Sequence, residues 1–173
     1  MAISNVEPNG SMKAKDISLN YDYILTICTN YKAYLESVNN SGSAVTAKFA
    51  LVAKGFDNIS EALNEVLYQS NFLSDRGWGS SYVTGGQVIF TLSGVRVKGD
   101  EAQDFIFSDT QYYDFGSSRE TYIKIKAPDG SCIQCPATLA KIAKSGGAMN
   151  QPTAVSVEIH LNGKPMLVPA SET

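Results

Sequence analysis

Four features of the sequence could support catalysis or ligand binding, and the first is a single histidine. His160 is the only histidine among the 173 residues, and it lies on the polar side of an alternating segment. A histidine-dependent nucleophile needs a serine or cysteine within hydrogen-bonding reach of the ring, and the sequence suggests no such partner. We therefore interpret His160 as a solvated surface side chain.

Cys132 and Cys135 have the C-x-x-C spacing of some metal and redox sites. In a strand, residues i and i+3 point to opposite faces, and no second cysteine pair lies nearby. A thioredoxin-like role places this spacing at the start of a helix, whereas here it follows an Asp-Gly turn. We interpret the two residues as reduced thiols in a strand, and a small cytosolic redox or zinc protein that uses them is the more distant alternative.

The glycine-rich segment 77–81 and a group of acids near residue 100 are the other two candidates. Residues 77–81 lack the lysine of a phosphate-binding P-loop and the G-x-G-x-x-G spacing before a helix. Asp100, Glu101 and Asp104 fall in the first turn of a predicted helix, where acids interact favourably with the helix dipole. None of the four features predicts an active site, and we expect no enzymatic activity, no cofactor and no metal.

Composition and charge are those of an acidic globular protein. Apolar residues make up 43% of the chain and charged residues 18%, and the formal net charge is −3 with a pI near 5.1. This balance argues against binding to DNA phosphates, which needs clustered lysine and arginine. The longest apolar runs are four or five residues, far below the roughly 20 of a membrane helix, so we expect no membrane insertion. The odd number of cysteines and the lack of an N-terminal export signal indicate reduced thiols and a cytosolic origin.

The N-terminal half of the chain reads as an arm followed by strands. Residues 1–15 have turn-forming residues and no periodic apolar face, which predicts an extended arm. Alternation of apolar and polar residues over Ile17–Ile27 predicts a strand, although a helix over Tyr23–Val38 also fits the spacing. Ala44–Ala53 reads as a second strand, and residues 58–71 fit either a helix or a strand.

The C-terminal half predicts one helix among strands and hairpins. A glycine-rich stretch over 74–86 predicts a long loop, and a change of apolar phase at Gly94 predicts a β-bulge or a sharp bend. Residues 100–108 predict a helix that Asp100 caps. The Asp129-Gly130 pair predicts a two-residue hairpin turn, and strict alternation over 155–161 predicts a strand. The sum is about seven strands and one helix in a mainly β, single domain over residues 1–173.

Surfaces suited to self-association are the remaining feature of the sequence. Acids outnumber bases over residues 100–120, whereas bases outnumber acids over 121–164, and opposite charges on one chain suit head-to-tail association. Trp78 between two glycines is more typical of an interface than of a core. The candidate interface residues in the arm and the loop are Ile3, Val6, Met12, Trp78, Tyr82 and Val83.

Several segments, taken in order, resemble a known family of phage proteins. The segments are Met1–Gly10, Gly77–Ser81 with Val83–Gly85, Gly94–Phe107 with its G-x-R and G-D-x-A-x-D-F-I elements, and Glu158–Pro165. Together they resemble the major tail protein, or tail tube protein, of long non-contractile-tailed bacteriophages of Gram-positive hosts. Each element alone consists mostly of turn chemistry, and their number and order carry the resemblance across nearly the whole chain.

The resemblance implies a fold of two packed antiparallel sheets with one flanking helix. It also implies rings of six subunits that stack into a tube around a tape-measure protein, with tail terminator and distal tail proteins as further partners. DNA would pass through the channel without specific binding, and the protein would reside in the virion tail after assembly in the host cytoplasm. The tube of a phage-derived bacteriocin or of a secretion system is the alternative that the sequence leaves open.

Overall fold

A computed structural model describes residues 22–39 and 45–170 of the chain. The predicted arm over 1–15 lies outside the described residues, and with it Ile3, Val6 and Met12. The strands in the described part are β1 (Ile24–Cys28), β2 (Phe49–Leu51), β3 (Phe56–Ser70), β4 (Ser80–Val95), β5 (Glu120–Lys126), β6 (Cys132–Ser145), β7 (Ala154–Leu161) and β8 (Met166–Val168). The α-helices there are α1 (Tyr31–Asn39), α2 (Glu101–Ile106) and α3 (Asp109–Tyr113).

All eight strands belong to one antiparallel sheet with the order β2-β1-β5-β6-β7-β4-β3, and β8 pairs with β6 beside this path. In a flat sheet, β1 and β4 would lie four strand spacings apart, or roughly 19 Å. Leu25 of β1 and Leu92 of β4 nevertheless pack in the same apolar core, so the sheet is strongly curved. The mainly β prediction is confirmed, and the two predicted layers are opposing halves of one continuous sheet.

The core lies on the concave face of this sheet and follows from the alternation of the strands. In β7, every second residue from Val155 to Leu161 is buried while the residues between them are partly exposed. The same pattern in β5 buries Thr121, Ile123 and Ile125. Helix α2 adds Ala102 and Ile106 to this core. The alternating strands that the sequence predicts most clearly are therefore the ones that build the core.

The segment after residue 23 combines the predicted strand with the later part of the helical alternative over Tyr23–Val38. The alternation ends with β1 at Cys28, and the chain is helical from Tyr31 to Asn39. The helical spacing prevails after residue 30 because Tyr31 and Tyr34 can then cover one side of the sheet. The Tyr31 ring lies 6.0 Å from the Tyr122 ring of β5, centroid to centroid.

Residues 58–71 are resolved in favour of a strand, and the predicted loop over 74–86 is wrong in its second half. The pairing of β3 with β4 runs from Phe56 to Ser70, and this tertiary pairing overrides the helical spacing of the segment. Strand β4 already begins at Ser80, so only residues 71–79 form the connection. Gly85 and Gly86 lie within β4, next to an irregularity in the register between Val66 and Leu67.

The predicted helix over 100–108 is confirmed as α2, with a second short helix after it. The Asp100 side chain accepts a hydrogen bond of 3.0 Å from the Gln103 backbone amide, which caps the helix as expected. Ser108 then caps α3 in the same way, by accepting from the Gln111 amide. None of the helices within residues 22–39 and 45–170 has the length and apolar character needed to cross a bilayer.

Candidate assembly surface

Strands β3 and β4 extend well beyond the rest of the sheet. Strand β4 pairs with β7 over Ile89–Val95, and before Ile89 its described partner is β3 alone. Residues 63–88 therefore form a two-stranded ribbon that we call the projecting hairpin. At about 3.3 Å per residue, its paired part is roughly 25 Å long.

The projecting hairpin carries a concentration of exposed apolar side chains. It holds nine of the 21 large apolar residues that are exposed among the described residues. These nine are Leu63, Val66, Leu67, Tyr68, Phe72, Leu73, Trp78, Tyr82 and Val83. A concentration of exposed apolar side chains of this kind is typical of an interaction site, because their exposure to water is unfavourable.

Apolar side chains occupy both faces of the projecting hairpin. Residues directly opposite each other in an antiparallel pair share a face, so Tyr68 and Tyr82 lie on one face while Leu67 and Val83 lie on the other. An isolated two-stranded hairpin is at best marginally stable in water. Both faces of the hairpin are left exposed by the described part of the chain.

The turn of the projecting hairpin is ordered by its own hydrogen bonds. A 3₁₀ turn runs over Leu73–Asp75, and the Asp75 carboxylate accepts from the hydroxyls of Ser74 and Ser80 at 3.2 and 3.4 Å. The Trp78 backbone amide donates to the Asp75 carbonyl at 3.0 Å. This closure leaves the Trp78 side chain 80% exposed at the tip.

Three of the six predicted interface residues lie together on this hairpin. Trp78 lies in its turn, and Tyr82 and Val83 follow at the start of β4. Sequence reasoning missed the matching residues of β3, including Leu67 and Tyr68. The signal was the pair of apolar groups 66–68 and 72–73, and the helical spacing of the segment obscured a strand with two exposed faces.

An apolar groove opens at the base of the same hairpin, between opposite halves of the curved sheet. It has a volume of about 510 Å³. Its apolar walls include Leu25, Val52, Phe56, Ile59, Phe90 and Ile133. Asp57 and Glu61 of β3 also line it, and both are exposed. The chain thus presents an apolar projection at one end of β3 and an apolar depression at the other.

The Gly94–Phe107 segment anchors the base of the projecting hairpin. The Arg96 guanidinium pairs with the Asp104 carboxylate, and the other oxygen of that carboxylate accepts from the Gly99 amide at 3.0 Å. The hydrogen bond from Arg96 is the main reason that the pKa of Asp104 lies below its usual value. The segment that carries the family resemblance therefore has a structural role, since its contacts hold α2 against the end of β4.

The histidine and the two cysteines of the C-x-x-C segment have different surroundings in the sheet. His160 Nε2 lies 2.8 Å from the Glu158 carboxylate, which also binds the Lys141 ammonium at 2.8 Å. In β6, Cys132 is paired with Lys126 on one face while Cys135 is buried on the other, and burial raises the pKa of the Cys135 thiol. Among residues 22–39 and 45–170, no three side chains of the metal-binding types come together.

Known proteins resemble this chain in fold. A chain in the tail of an empty gene transfer agent particle, computed with helical refinement and C6 symmetry, matches with a TM-score of 0.55 at 16% identity. The two chains share a fold. The match covers 88% of this chain and 99% of that one, and a chain in the virion of a native gene transfer agent particle has the same coverage and TM-score at 15% identity.

A third solved structure is a sheath-tube complex of an extracellular contractile injection system in the extended state. One of its chains matches with a TM-score of 0.47 at 12% identity, over 92% of this chain and 100% of that one. No protein-family model matches the chain, and no curated protein matches it either.

Proposed function

We propose that the protein is the structural subunit of a tail tube. The observation that carries this proposal is the projecting hairpin, because a two-stranded ribbon with apolar side chains on both faces requires partners. The fold shared with a chain of a gene transfer agent tail supports the same function. The protein acts without catalysis, and its activity is assembly.

Rings of six are the form of assembly that we propose. The C6 symmetry of the gene transfer agent tail supports this number. In the sheet that the described residues form, β2 and β3 are the outer strands, and their unpaired edges are open to a further strand. Closing the ring joins neighbouring sheets and removes these edges, as in a barrel. Stacking of the rings then extends them into a tube.

The channel of this tube is where we place DNA. The face of β4 and β7 opposite the core is polar, with Ser93 opposite Ser156 and Thr91 opposite Glu158. The Glu158 carboxylate on this face pairs with Lys141 and His160, which offsets positive charge there. A wall of this kind, in a chain of net charge −3, lets a polyanion slide without holding its phosphates. The virion tail is the site of action, and assembly takes place in the host cytoplasm around a tape-measure protein.

The remaining partners follow from the same proposal. A tail terminator protein closes one end of the tube and distal tail proteins occupy the other, since a stack of identical rings has two different ends. The family resemblance of the Gly94–Phe107 segment supports a long non-contractile tail of a phage of Gram-positive hosts. The geometry of the projecting hairpin supports a tube subunit, without distinguishing one kind of tail from another.

The hairpin provides the direct test of this function. We expect Trp78→Ser to abolish or strongly reduce assembly, because it removes the largest apolar side chain of the tip. The matched control is Met149→Ser, which changes a fully exposed apolar residue outside the hairpin and leaves assembly unchanged. Light scattering of both variants measures the outcome, with circular dichroism to show that each is folded. Equal assembly of the two variants would count against the hairpin as the assembly element.

A further inference from the structure

The apolar groove at the base of β3 has the size and lining of a docking site for apolar side chains. Its volume of about 510 Å³ lies within the range of ligand-binding pockets and admits a bulky aromatic group. Phe56 and Ile59 of β3 contribute to its walls and are only partly buried, so they retain surface that a further group can cover. The groove is thus an apolar depression at the surface of an otherwise packed core.

The tip of the projecting hairpin is the apolar projection that matches this groove in character. Leu73 is fully exposed, and Phe72 and Trp78 beside it are 50% and 80% exposed. Because the turn is held by hydrogen bonds to Asp75, these side chains are presented on an ordered support. Ordering before contact reduces the entropy that is lost when the tip binds.

The tip cannot reach the groove of its own chain. Eleven residues separate Ile59 in the groove from Ser70 at the end of β3, and at about 3.3 Å per residue this places the tip roughly 36 Å away. Pairing with β4 along this whole length keeps the ribbon extended. Contact between tip and groove therefore requires two copies of the chain, and it is heterologous, so it propagates from one copy to the next.

The charges of the two surfaces are complementary. Arg76 is exposed at the tip and has no ion-pair partner within the described residues. Asp57 and Glu61 line the groove, are exposed, and also lack a cationic partner in that part of the chain. The nearby Asp75 is engaged by two serine hydroxyls of the turn. Opposite charges that flank an apolar contact fix its orientation and select the correct partner.

We propose that the hairpin tip of one subunit docks into the apolar groove of a second copy, with Arg76 beside Asp57 and Glu61. This inference rests on the proposed function and names the surfaces that join the subunits of the tube. Trp78 and Leu73 enter the groove, and the ion pairs lie at its rim. Since every copy has one tip and one groove, each copy donates to one neighbour and accepts from another.

Complementation between two defective variants tests this contact. The tip variant is Arg76→Glu, and the groove variant combines Asp57→Lys with Glu61→Lys. Each variant alone places like charges at every contact, and we expect the concentration needed for assembly to rise roughly tenfold or more. In an equimolar mixture, the wild-type tips fit the wild-type grooves and the reversed tips fit the reversed grooves. We expect the mixture to assemble near the wild-type concentration.

The control variant is Lys164→Glu, which reverses an exposed charge on the turn between β7 and β8 and leaves assembly unchanged. Electron microscopy and light scattering report assembly, and wild-type assembly should weaken as salt is raised. Rescue by the mixture supports the proposal and shows in addition that both variants are folded.

Other outcomes separate this inference from the proposed function. If the wild type assembles and Arg76→Glu assembles equally well, the contact is overturned and the proposed tube function stands. The same holds if both variants are defective and do not rescue each other. Loss of assembly in the groove variant alone would mean that another segment occupies the groove, residues 1–21 for example, and would also overturn it. A wild-type chain that stays monomeric at every concentration overturns the proposed function and the contact together.

Discussion

The amide nitrogen of the Gln103 side chain lies 2.8 Å from the carbonyl oxygen of Lys54, which is 49 residues earlier in the chain. The same amide donates to the Val95 carbonyl at 3.0 Å, and its oxygen accepts from the Val97 amide at 2.8 Å. The Gln103 side chain itself is 0% exposed. One buried side chain thus joins α2 to the turn before β3 and to the end of β4.

Replacing Gln103 with leucine should destabilise the protein by about 3 kcal/mol, because the carbonyls of Lys54 and Val95 lose the donor that the buried Gln103 amide supplies. Urea unfolding followed by circular dichroism measures this change. Gln151→Leu is the control, since Gln151 is exposed, and it should change the free energy of unfolding by less than about 0.5 kcal/mol. A similar effect of the two substitutions would show that the buried amide does not hold the hairpin base.

Gly94→Ala should be destabilising by about 3 kcal/mol, since its Cβ would lie 2.0 Å from the Gly55 carbonyl oxygen and backbone would have to move. Gly146→Ala is the matched control, because a Cβ there meets open space. Thermal unfolding compares the two variants. A Gly94→Ala protein as stable as the control would contradict the close approach of β4 to the turn before β3.

The Glu158 carboxylate should make stability depend on pH in the acid range. Hydrogen bonding from Lys141, and then from His160, lowers the pKa of Glu158 below its usual 4.5. A lowered pKa in the folded state contributes stability that is present above pH 4.5 and is lost as the pH falls through the folded pKa. We expect Glu158→Gln to lose less stability than the wild type between pH 6 and pH 3.

Thermal unfolding at the two pH values measures this difference. Glu36→Gln is the control, because Glu36 is exposed and has no ion-pair partner among the described residues. Glu36→Gln should lose as much stability as the wild type between pH 6 and pH 3. Identical behaviour of wild type and Glu158→Gln would show that the carboxylate gains nothing from its neighbours in the folded state.

The two cysteines of the C-x-x-C segment should differ in reactivity. Cys135 is 1% exposed and burial raises its pKa, which lowers its thiolate fraction, whereas Cys132 is partly exposed. We expect a thiol reagent to modify Cys132 in the native protein and Cys135 only after unfolding. Mass spectrometry of the labelled peptides measures the order. Cys132→Ser should leave assembly unchanged, and loss of assembly with loss of bound zinc would favour the metal-site alternative.

Local patterns in the sequence were sufficient to predict the parts of the fold whose structure depends on neighbouring residues. The strand over 155–161 alternates because one face is buried, and Asp100 caps α2 three residues before the amide that it binds. A hairpin turn forms at the Asp129-Gly130 pair, with Gly130 at a φ of 88°, although the Ala127 amide donates to the Ser131 carbonyl and the loop has three residues where two were predicted. In each case the determining contacts lie within a few residues.

The projecting hairpin could not be predicted in this way. Its paired residues are far apart in the sequence, and its apolar side chains are exposed although apolar side chains are usually buried. Strand β3 carries apolar residues on both faces. Its apolar residues Ile59, Leu63, Val66 and Leu67 therefore have a helical spacing and do not alternate with polar residues. Gly85 and Gly86 suggested a loop, whereas the irregular register opposite Val66 places them within a strand. In the proposed tube, contacts between subunits would explain why these apolar residues are exposed in the single chain.

Electron microscopy of the negatively stained wild-type protein, over a range of concentrations, tests the central claim most directly. We predict hollow tubes of constant diameter whose end views have six-fold symmetry around an open channel. Particles that remain monomeric at every concentration, or that close into a solid dimer, would contradict the proposal that this chain builds a tail tube.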